Sequence, residues 1–252
     1  MCPIRLDVDS EKAVETWSEE TSAVFIEHGA IFVPWREEIG RAIVDLISVA
    51  EDDAFTAVDI GVGAGWLSHA ILQRFPRARV IGLDGSRAML EAASKELSES
   101  LDRVELKQFN LVEDAWVDSI PDAVRAFVSS LVLHHLDGNG KRELYRALYQ
   151  KLEAGGALLI ADVIQPNGSR ARAYYQRSYE DDVRALSLSR TGTLDDYRQF
   201  IELEWNLFEF PDDEFDHPST IPEHMDWLRQ AGFTGVEVFW ARSGHAVFGG
   251  YK

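Results

Sequence analysis

Three glycines at alternate positions, Gly61, Gly63 and Gly65, break an apolar run that begins at Val58. Glycine tolerates a sharp turn and lets the backbone approach a ligand closely, and a helix that starts after such a turn offers unpaired amides to an acceptor. Leu67, Ala70 and Ile71 continue at helical spacing to Pro76, and Val80-Ile81-Gly82-Leu83-Asp84 is a second apolar run ending on a carboxylate. A carboxylate at the end of the second strand of a strand-helix-strand unit can accept hydrogen bonds from both hydroxyls of a ribose. Asp84 is the candidate. The dinucleotide fingerprint places its third glycine one residue later, where this chain has Trp66, which weakens a dinucleotide reading.

A second set of reactive residues follows two further apolar runs. His134 and His135 come just after Ala126 to Val132, and Asp162 ends Ala157 to Ala161. An acceptor hydroxyl or amine must lose a proton, and His, Asp or Glu within hydrogen-bond reach is the usual base. His134, His135 and Asp162 are therefore the catalytic candidates, although the histidines could instead hold their loop and Asp162 could cap the next one. The other five histidines, His28, His69, His217, His224 and His245, have neither His-x-x-x-His spacing nor a cysteine partner, and no metal site is predicted.

With these stretches in place, the sequence resembles the class I S-adenosylmethionine-dependent methyltransferases. The matching motifs are Asp59 to Gly65, Leu83-Asp84-Gly85-Ser86 with Met89-Leu90, Phe109-Asn110-Leu111, Phe127 to Leu136, and Leu152 to Asp162. The resemblance implies S-adenosylmethionine as cofactor, with S-adenosylhomocysteine as product. It carries cofactor contacts to Asp59, Gly61, Val62, Gly63, Gly65, Asp84, Gly85, Met89, Asn110, Leu111 and Ser130. Asn110 stands where the family usually has an aspartate on the adenine amino group, and its side-chain carbonyl can still accept that bond. The segment before the first core helix often folds over the cofactor in relatives. That makes Arg36 a candidate for the methionine carboxylate and Trp35 one for substrate, against the plainer reading of a core tryptophan and a solvated arginine.

The elements that must position these residues follow from periodicity. A polar helix is expected from about Ser10 to Phe25, with Ser10 as cap and Val14, Trp17, Thr21, Val24 and Phe25 as a thin apolar stripe. Ile31 to Arg36 leads into a helix whose Ile39, Ile43, Leu46, Ile47 and Ala50 share a face. Ser86 caps a helix to about Leu97, and Val104 to Phe109 is a third strand. Lys141 to Leu152 is a helix stopped by Gly155-Gly156. Thr220-Ile221-Pro222-Glu223 is a capping box opening a helix that closes at Gly232. Val236 to Trp240 and His245 to Phe248 read as two strands too close for a crossover, so they must form an antiparallel hairpin.

The expected fold is α/β: a Rossmann-like, seven-stranded, mostly parallel sheet ending in an antiparallel hairpin, with a mainly helical lid insertion. The chain then divides as one domain of N-terminal helices over 1–54, a cofactor-binding core over 55–163, a lid over 164–218, and a C-terminal helix and hairpin over 219–252. The lid holds many aromatics, and Tyr174 and Trp205 are candidates to line a dry substrate pocket. Between Asp195 and Asp216 it carries nine carboxylates against one basic residue, Arg198. That content favours a neutral or cationic acceptor with apolar surface over a phosphorylated one, unless the charges are only a solvated face.

Composition closes off several functions. The 252 residues are 46% hydrophobic and 27% charged, which suits one globular domain. A formal charge of −18, from 43 acidic and 25 basic residues, repels nucleic acid and anionic membrane surfaces. No stretch has the apolar length of a membrane span or a signal peptide. Cys2 is the only cysteine, so no intrachain disulfide can form and a cytoplasmic setting is expected. The reading is a methyltransferase for a small-molecule acceptor through O, N or C, compatible with a homodimer. The alternatives are an enzyme of the carboxy-S-adenosylmethionine synthase type, which the Val33-Pro34 region and the hairpin also resemble, and a module that only binds the cofactor.

Overall fold

The computed structural model describes residues 18–113 and 115–252. The expected Ser10 cap, with Val14 and Trp17, lies outside the described residues. Seven strands, β1 (Thr56–Ile60), β2 (Arg79–Asp84), β3 (Val104–Gln108), β4 (Val124–Ser130), β5 (Leu152–Val163), β6 (Thr234–Arg242) and β7 (His245–Tyr251), form one sheet in the order β3-β2-β1-β4-β5-β7-β6. β1 to β5 pair in parallel, while β7 runs antiparallel to both β5 and β6, so β7 is the single reversed strand. Only Ser243 and Gly244 separate β6 from β7, a link that can only double back.

The helices are α1 (Glu19–Phe32), α2 (Arg36–Leu46), α3 (Trp66–Arg74), α4 (Arg87–Glu96), the single turn α5 (Ala115–Asp118), α6 (Gly138–Lys151), α7 (Ser169–Thr191), α8 (Asp195–Glu202) and α9 (Ile221–Ala231). Alternate strand residues feed two cores. Ala57, Ala126, Val128, Leu159 and Val247 face a cluster with Ile39, Ile43, Leu67 and Ala93, so α2, α3 and α4 cover that side. Val58, Phe127, Leu158, Ile160 and Phe248 face Tyr145, Leu148, Trp227 and Leu228 of α6 and α9. Both faces are thus apolar and covered, the condition under which a parallel sheet is stable.

Three expected boundaries move. Among the described residues α1 is capped by Ser18, whose Oγ accepts from Thr21 N at 3.0 Å, and it runs past Phe25 to Phe32, since no proline occurs between Ser18 and Pro34. α6 begins at Gly138, where Asp137 Oδ1 accepts from Gly140 N at 2.7 Å, and no glycine stops it. Gly155 and Gly156 instead lie inside β5, beside the register shift between Val124 and Ala126, where a Cβ on Gly156 would come 2.9 Å from Arg125 O. The lid is helical only in its first part. After α8 it returns through turns to a parallel bridge between Ser219 and Ile164, which brings its end back to the rim of the sheet.

Candidate active site

The glycine turn sits at the C-terminal end of β1, and its three glycines serve three different needs. All have positive φ, +73°, +53° and +91° for Gly61, Gly63 and Gly65. A Cβ on Gly61 would come 2.1 Å from Val132 Cγ2, and one on Gly65 would meet Ala93 Cα of α4 at 3.2 Å. Gly63 has no neighbour within 4 Å of that position, so its freedom leaves open space at the rim. Asp84, at the end of neighbouring β2, accepts from Gly63 N at 2.8 Å through Oδ2 and from Ser86 N at 2.9 Å through Oδ1. Burial pushes its carboxyl up, against the pull of those two amides. Asp59 turns inward instead: it is 1% exposed, accepts from Ser68 Oγ at 2.7 Å, and burial pushes its carboxyl up to about 7. It braces β1 against α3, as an inward-facing strand residue must.

Around this turn, α1 and α2 close one side. Glu19, in the first turn of α1, accepts from Arg87 N at 2.9 Å, Ala88 N at 3.0 Å and Ser86 Oγ at 3.1 Å, so it docks α1 on the N-terminus of α4 beside Asp84. Arg36 is not solvated. Its guanidinium lies 5.2 Å from the Phe25 ring and 5.7 Å from the Trp66 ring, and its Nε has no hydrogen-bond partner among the described residues. Burial lowers its pKa to about 10. Val62 and Met89 are buried in the core, which leaves them their backbones for a ligand. Asn110 Oδ1 accepts from Val112 N at 3.2 Å and its Nδ2 donates to Glu113 at 2.9 Å, both satisfied within its own turn. Leu111 follows in that turn, while Gly85 is exposed and Ser130 half-buried at the end of β4.

The second set of residues gathers at the ends of β4 and β5. After Ser130 the chain turns through Leu131, whose φ is +58°, into a short helical turn at Leu133–His135. His134 Nδ1 lies 2.6 Å from Asp162 Oδ1, and His134 N donates to Asp162 Oδ2 at 3.0 Å, so one buried carboxylate fixes both the ring and its backbone. From the lid's return, Asp216 Oδ1 stands 3.6 Å from His134 Nε2 and 3.0 Å from His135 Nδ1. Burial pulls the His134 ring down, but Asp162 more than offsets this and holds it up. Burial and the neighbouring His134 lower His135. Burial would raise Asp216, yet the two histidines hold it low, and His134 does the same for Asp162.

Lys141 of α6 locks the two segments together. Fully buried, its Nζ donates to Leu136 O at 2.7 Å, to Ser219 Oγ at 3.0 Å and to His217 O, while His217 N donates to His134 O at 2.7 Å. Burial lowers the ammonium to about 8. Because β1 lies between β2 and β4, Asp84, the glycine turn and His134 occupy three neighbouring strand ends. At one strand spacing each, that spans about 10 Å.

The family model described as a methyltransferase domain matches residues 57–156. The chain is similar to trans-aconitate 2-methyltransferase of Azoarcus sp. (strain BH72), at 34% identity over 130 residues, 51% of this chain and 47% of that one. It is also similar to carboxy-S-adenosyl-L-methionine synthase of Nautilia profundicola, at 21% identity over 96% of both chains. An O-methyltransferase family protein from Burkholderia thailandensis shares the fold with a TM-score of 0.60 at 17% identity, covering 92% of this chain and 59% of that chain. Residues 57–156 thus resemble a methyltransferase domain, and the chain shares the fold of S-adenosylmethionine-dependent methyltransferases. It spans about half the length of trans-aconitate 2-methyltransferase and of the phenazine O-methyltransferase it also resembles, 47% and 41% respectively.

The domain's own residues fit the cofactor of this class. Open space at Gly63, a carboxylate at Asp84 and a guanidinium with an unmatched Nε at Arg36 suit an adenosyl group carrying an amino-acid tail. Of the two readings of Trp35, the structure favours the core one. Trp35 is 2% exposed, packs on Tyr179, Trp240 and His245, and donates to Asp182 at 3.2 Å, so it is core and lines no cleft. Trp205 packs on Phe25 and Phe32 of α1, and Phe25 in turn lies against Arg36, whereas Tyr174 is 60% exposed on α7. Among the described residues, His134, His135 and Asp216 bring ligand atoms within 4.8 Å of one another. Asp216 and Lys141 escaped sequence reasoning, because their partners lie some 80 residues away and no local pattern marks them.

Proposed function

We propose that this chain is an S-adenosylmethionine-dependent methyltransferase acting on a small molecule. The observation that carries this is the adjacency of the glycine turn and Asp84 to the His134–Asp162 pair across neighbouring strand ends. When bound, the cofactor supplies a sulfonium methyl: its carbon–sulfur bond breaks as a bond to the acceptor forms, leaving a neutral thioether. Asp84 would hold the ribose and Arg36 the carboxylate. The proton of a hydroxyl or amine acceptor leaves at the cluster of His134, His135, Asp162 and Asp216. The net charge and the acidic lid favour a neutral or cationic acceptor, and among the described residues no helix is long and apolar enough to cross a membrane. Calorimetry with S-adenosylhomocysteine tests the reading, and absence of binding sinks it.

The likeness to carboxy-S-adenosyl-L-methionine synthase over 96% of both chains favours a second reading, in which the cofactor itself is the substrate. That activity needs a cation for the extra carboxylate, and Lys141 is already committed to three acceptors. Mass spectrometry of the nucleoside that co-purifies separates the two, since a product heavier by one carboxyl group would select the second.

A further inference from the structure

We propose that His134, His135 and Asp216 form a binding site for a divalent transition-metal ion, and that the acceptor is a small molecule with an oxygen able to join it. The inference rests on the methyltransferase reading and specifies how its acceptor is held and activated. A first-row ion bonded at about 2.0 to 2.2 Å to imidazole nitrogen and carboxylate oxygen has ligand atoms about 3 to 3.5 Å apart. Asp216 Oδ1 stands 3.0 Å from His135 Nδ1 and 3.6 Å from His134 Nε2, and the three ligand atoms lie within 4.8 Å of one another. Two imidazoles and one carboxylate leave coordination positions open for a substrate, a ligand set suited to zinc, iron or cobalt rather than to magnesium or calcium.

The surroundings have the features such a site needs. Asp162 accepts from His134 Nδ1 at 2.6 Å, which assigns the proton to that nitrogen and turns the Nε2 lone pair toward Asp216. Asp216 Oδ1 is buried, so a cation would find it already desolvated. The two segments that bring the ligands are tied by His217 N to His134 O and by Lys141, so the ligands are held before any ion arrives. The side chains of His134, His135 and Asp216 retain 9%, 14% and 21% exposure, which leaves an approach from the cleft. A bound ion would lower the pKa of a coordinated acceptor hydroxyl. Its proton then passes to solvent, and the methyl carbon exchanges its bond to sulfur for one to that oxygen, with no change of oxidation state.

Cobalt(II) is the probe. Titrated into the full chain after chelator treatment, it should give a visible absorption band saturating at one equivalent, and two hyperfine-shifted, exchangeable ring N–H signals. These are His134 Nδ1–H and His135 Nε2–H. His135→Ala and Asp216→Asn should each lose the band, and Asp162→Asn should weaken cobalt binding by roughly 10- to 100-fold, as for other partners behind a ligand. Binding of S-adenosylhomocysteine, measured on the same samples, checks folding and should persist with and without metal. No saturating band in the wild type, or shifted ring signals from fewer than two histidines, overturns the metal site. If S-adenosylhomocysteine binding is meanwhile intact, the methyltransferase reading stands and only this inference falls.

Discussion

The proposed cofactor half of the site and the proposed acceptor half are built on opposite plans. From Asp59 to Ser86 the cofactor half is one continuous strand-turn-helix-strand unit, so its chemistry is fixed by local backbone geometry: three positive-φ glycines and a strand-end carboxylate. The acceptor half joins residues 134–135, 162 and 216, and it exists only because the lid returns to the rim and is fastened there by Lys141. A local unit tolerates change elsewhere in the chain. A long-range one fails wherever any of its tethers fails.

The largest expected effect separates the glycines of the first half. At Gly61, Ala adds a Cβ 2.1 Å from Val132 at φ +73°, so strain and overpacking should remove about 2 to 5 kcal/mol of stability in urea unfolding. Gly63→Ala meets nothing and should lose only about 1 to 2 kcal/mol to backbone strain, yet weaken S-adenosylhomocysteine binding by filling the open rim. Equal stability losses at the two positions would remove the distinction between packing glycine and ligand glycine.

Acid should act next most strongly, through His224 and His245. Burial lowers each to about 4 from an ordinary value of 6.5. Between those values these two histidines bind more protons in the unfolded chain than in the folded one, so their contribution to stability falls as pH drops from about 6.5 to about 4, while Asp59, raised to about 7, acts in the opposite direction. Each histidine contributes up to about 3 kcal/mol. His224 belongs to the scaffold, hydrogen-bonded at 2.8 Å to Tyr145, while His245 sits among Trp35, Tyr179 and Phe208 where the hairpin meets α7. The acid-dependent loss of stability should be smaller in His245→Gln, and an unchanged pH dependence of unfolding would mean that His245 is not held neutral.

Legibility in the sequence follows the same division. Strand alternation, the Ser86 cap and the Thr220–Glu223 box were readable because each depends on residues within one or two turns, and all appear in the structure. The Gly61–Gly65 turn and Asp84 were readable for the same reason, although their binding role awaits the calorimeter. Asp216 was hidden in a run of acidic residues, and nothing within that run distinguishes the carboxylate that meets two histidines from those that meet water. Trp35 misled in the other direction: a tryptophan before a core helix has the same sequence signature whether it lines a cleft or, as here, fills the space between α7 and the hairpin.

The cofactor half can be weakened alone. Asp84→Ala removes a charged acceptor and should cost S-adenosylhomocysteine binding about 1.5 to 3 kcal/mol in calorimetry, with fold retained. His135→Ala should leave that affinity unchanged. If His135→Ala matched Asp84→Ala, the two halves would be one coupled site.

The smallest effect of all should come from Tyr174 of the lid, where two aromatics that look alike in sequence now differ. Trp205 stacks on Phe25 at 5.8 Å and on Phe32 at 5.0 Å, and Phe25 in turn covers Arg36, so Trp205→Ala opens a cavity above the cofactor's tail. That should lower stability by about 3 kcal/mol and carry a modest loss of S-adenosylhomocysteine affinity with it. Tyr174 is 60% exposed, and its only ring contact among the described residues is Tyr175 at 6.2 Å. Tyr174→Ala should therefore change stability by no more than about 0.5 kcal/mol and leave cofactor affinity untouched. Any role it has must appear against the acceptor alone, as a reduced kcat/KM with every binding and unfolding measurement unchanged. A stability loss in Tyr174→Ala comparable to that of Trp205→Ala would show that the ring is covered in solution, and would end its candidacy as a residue waiting for substrate.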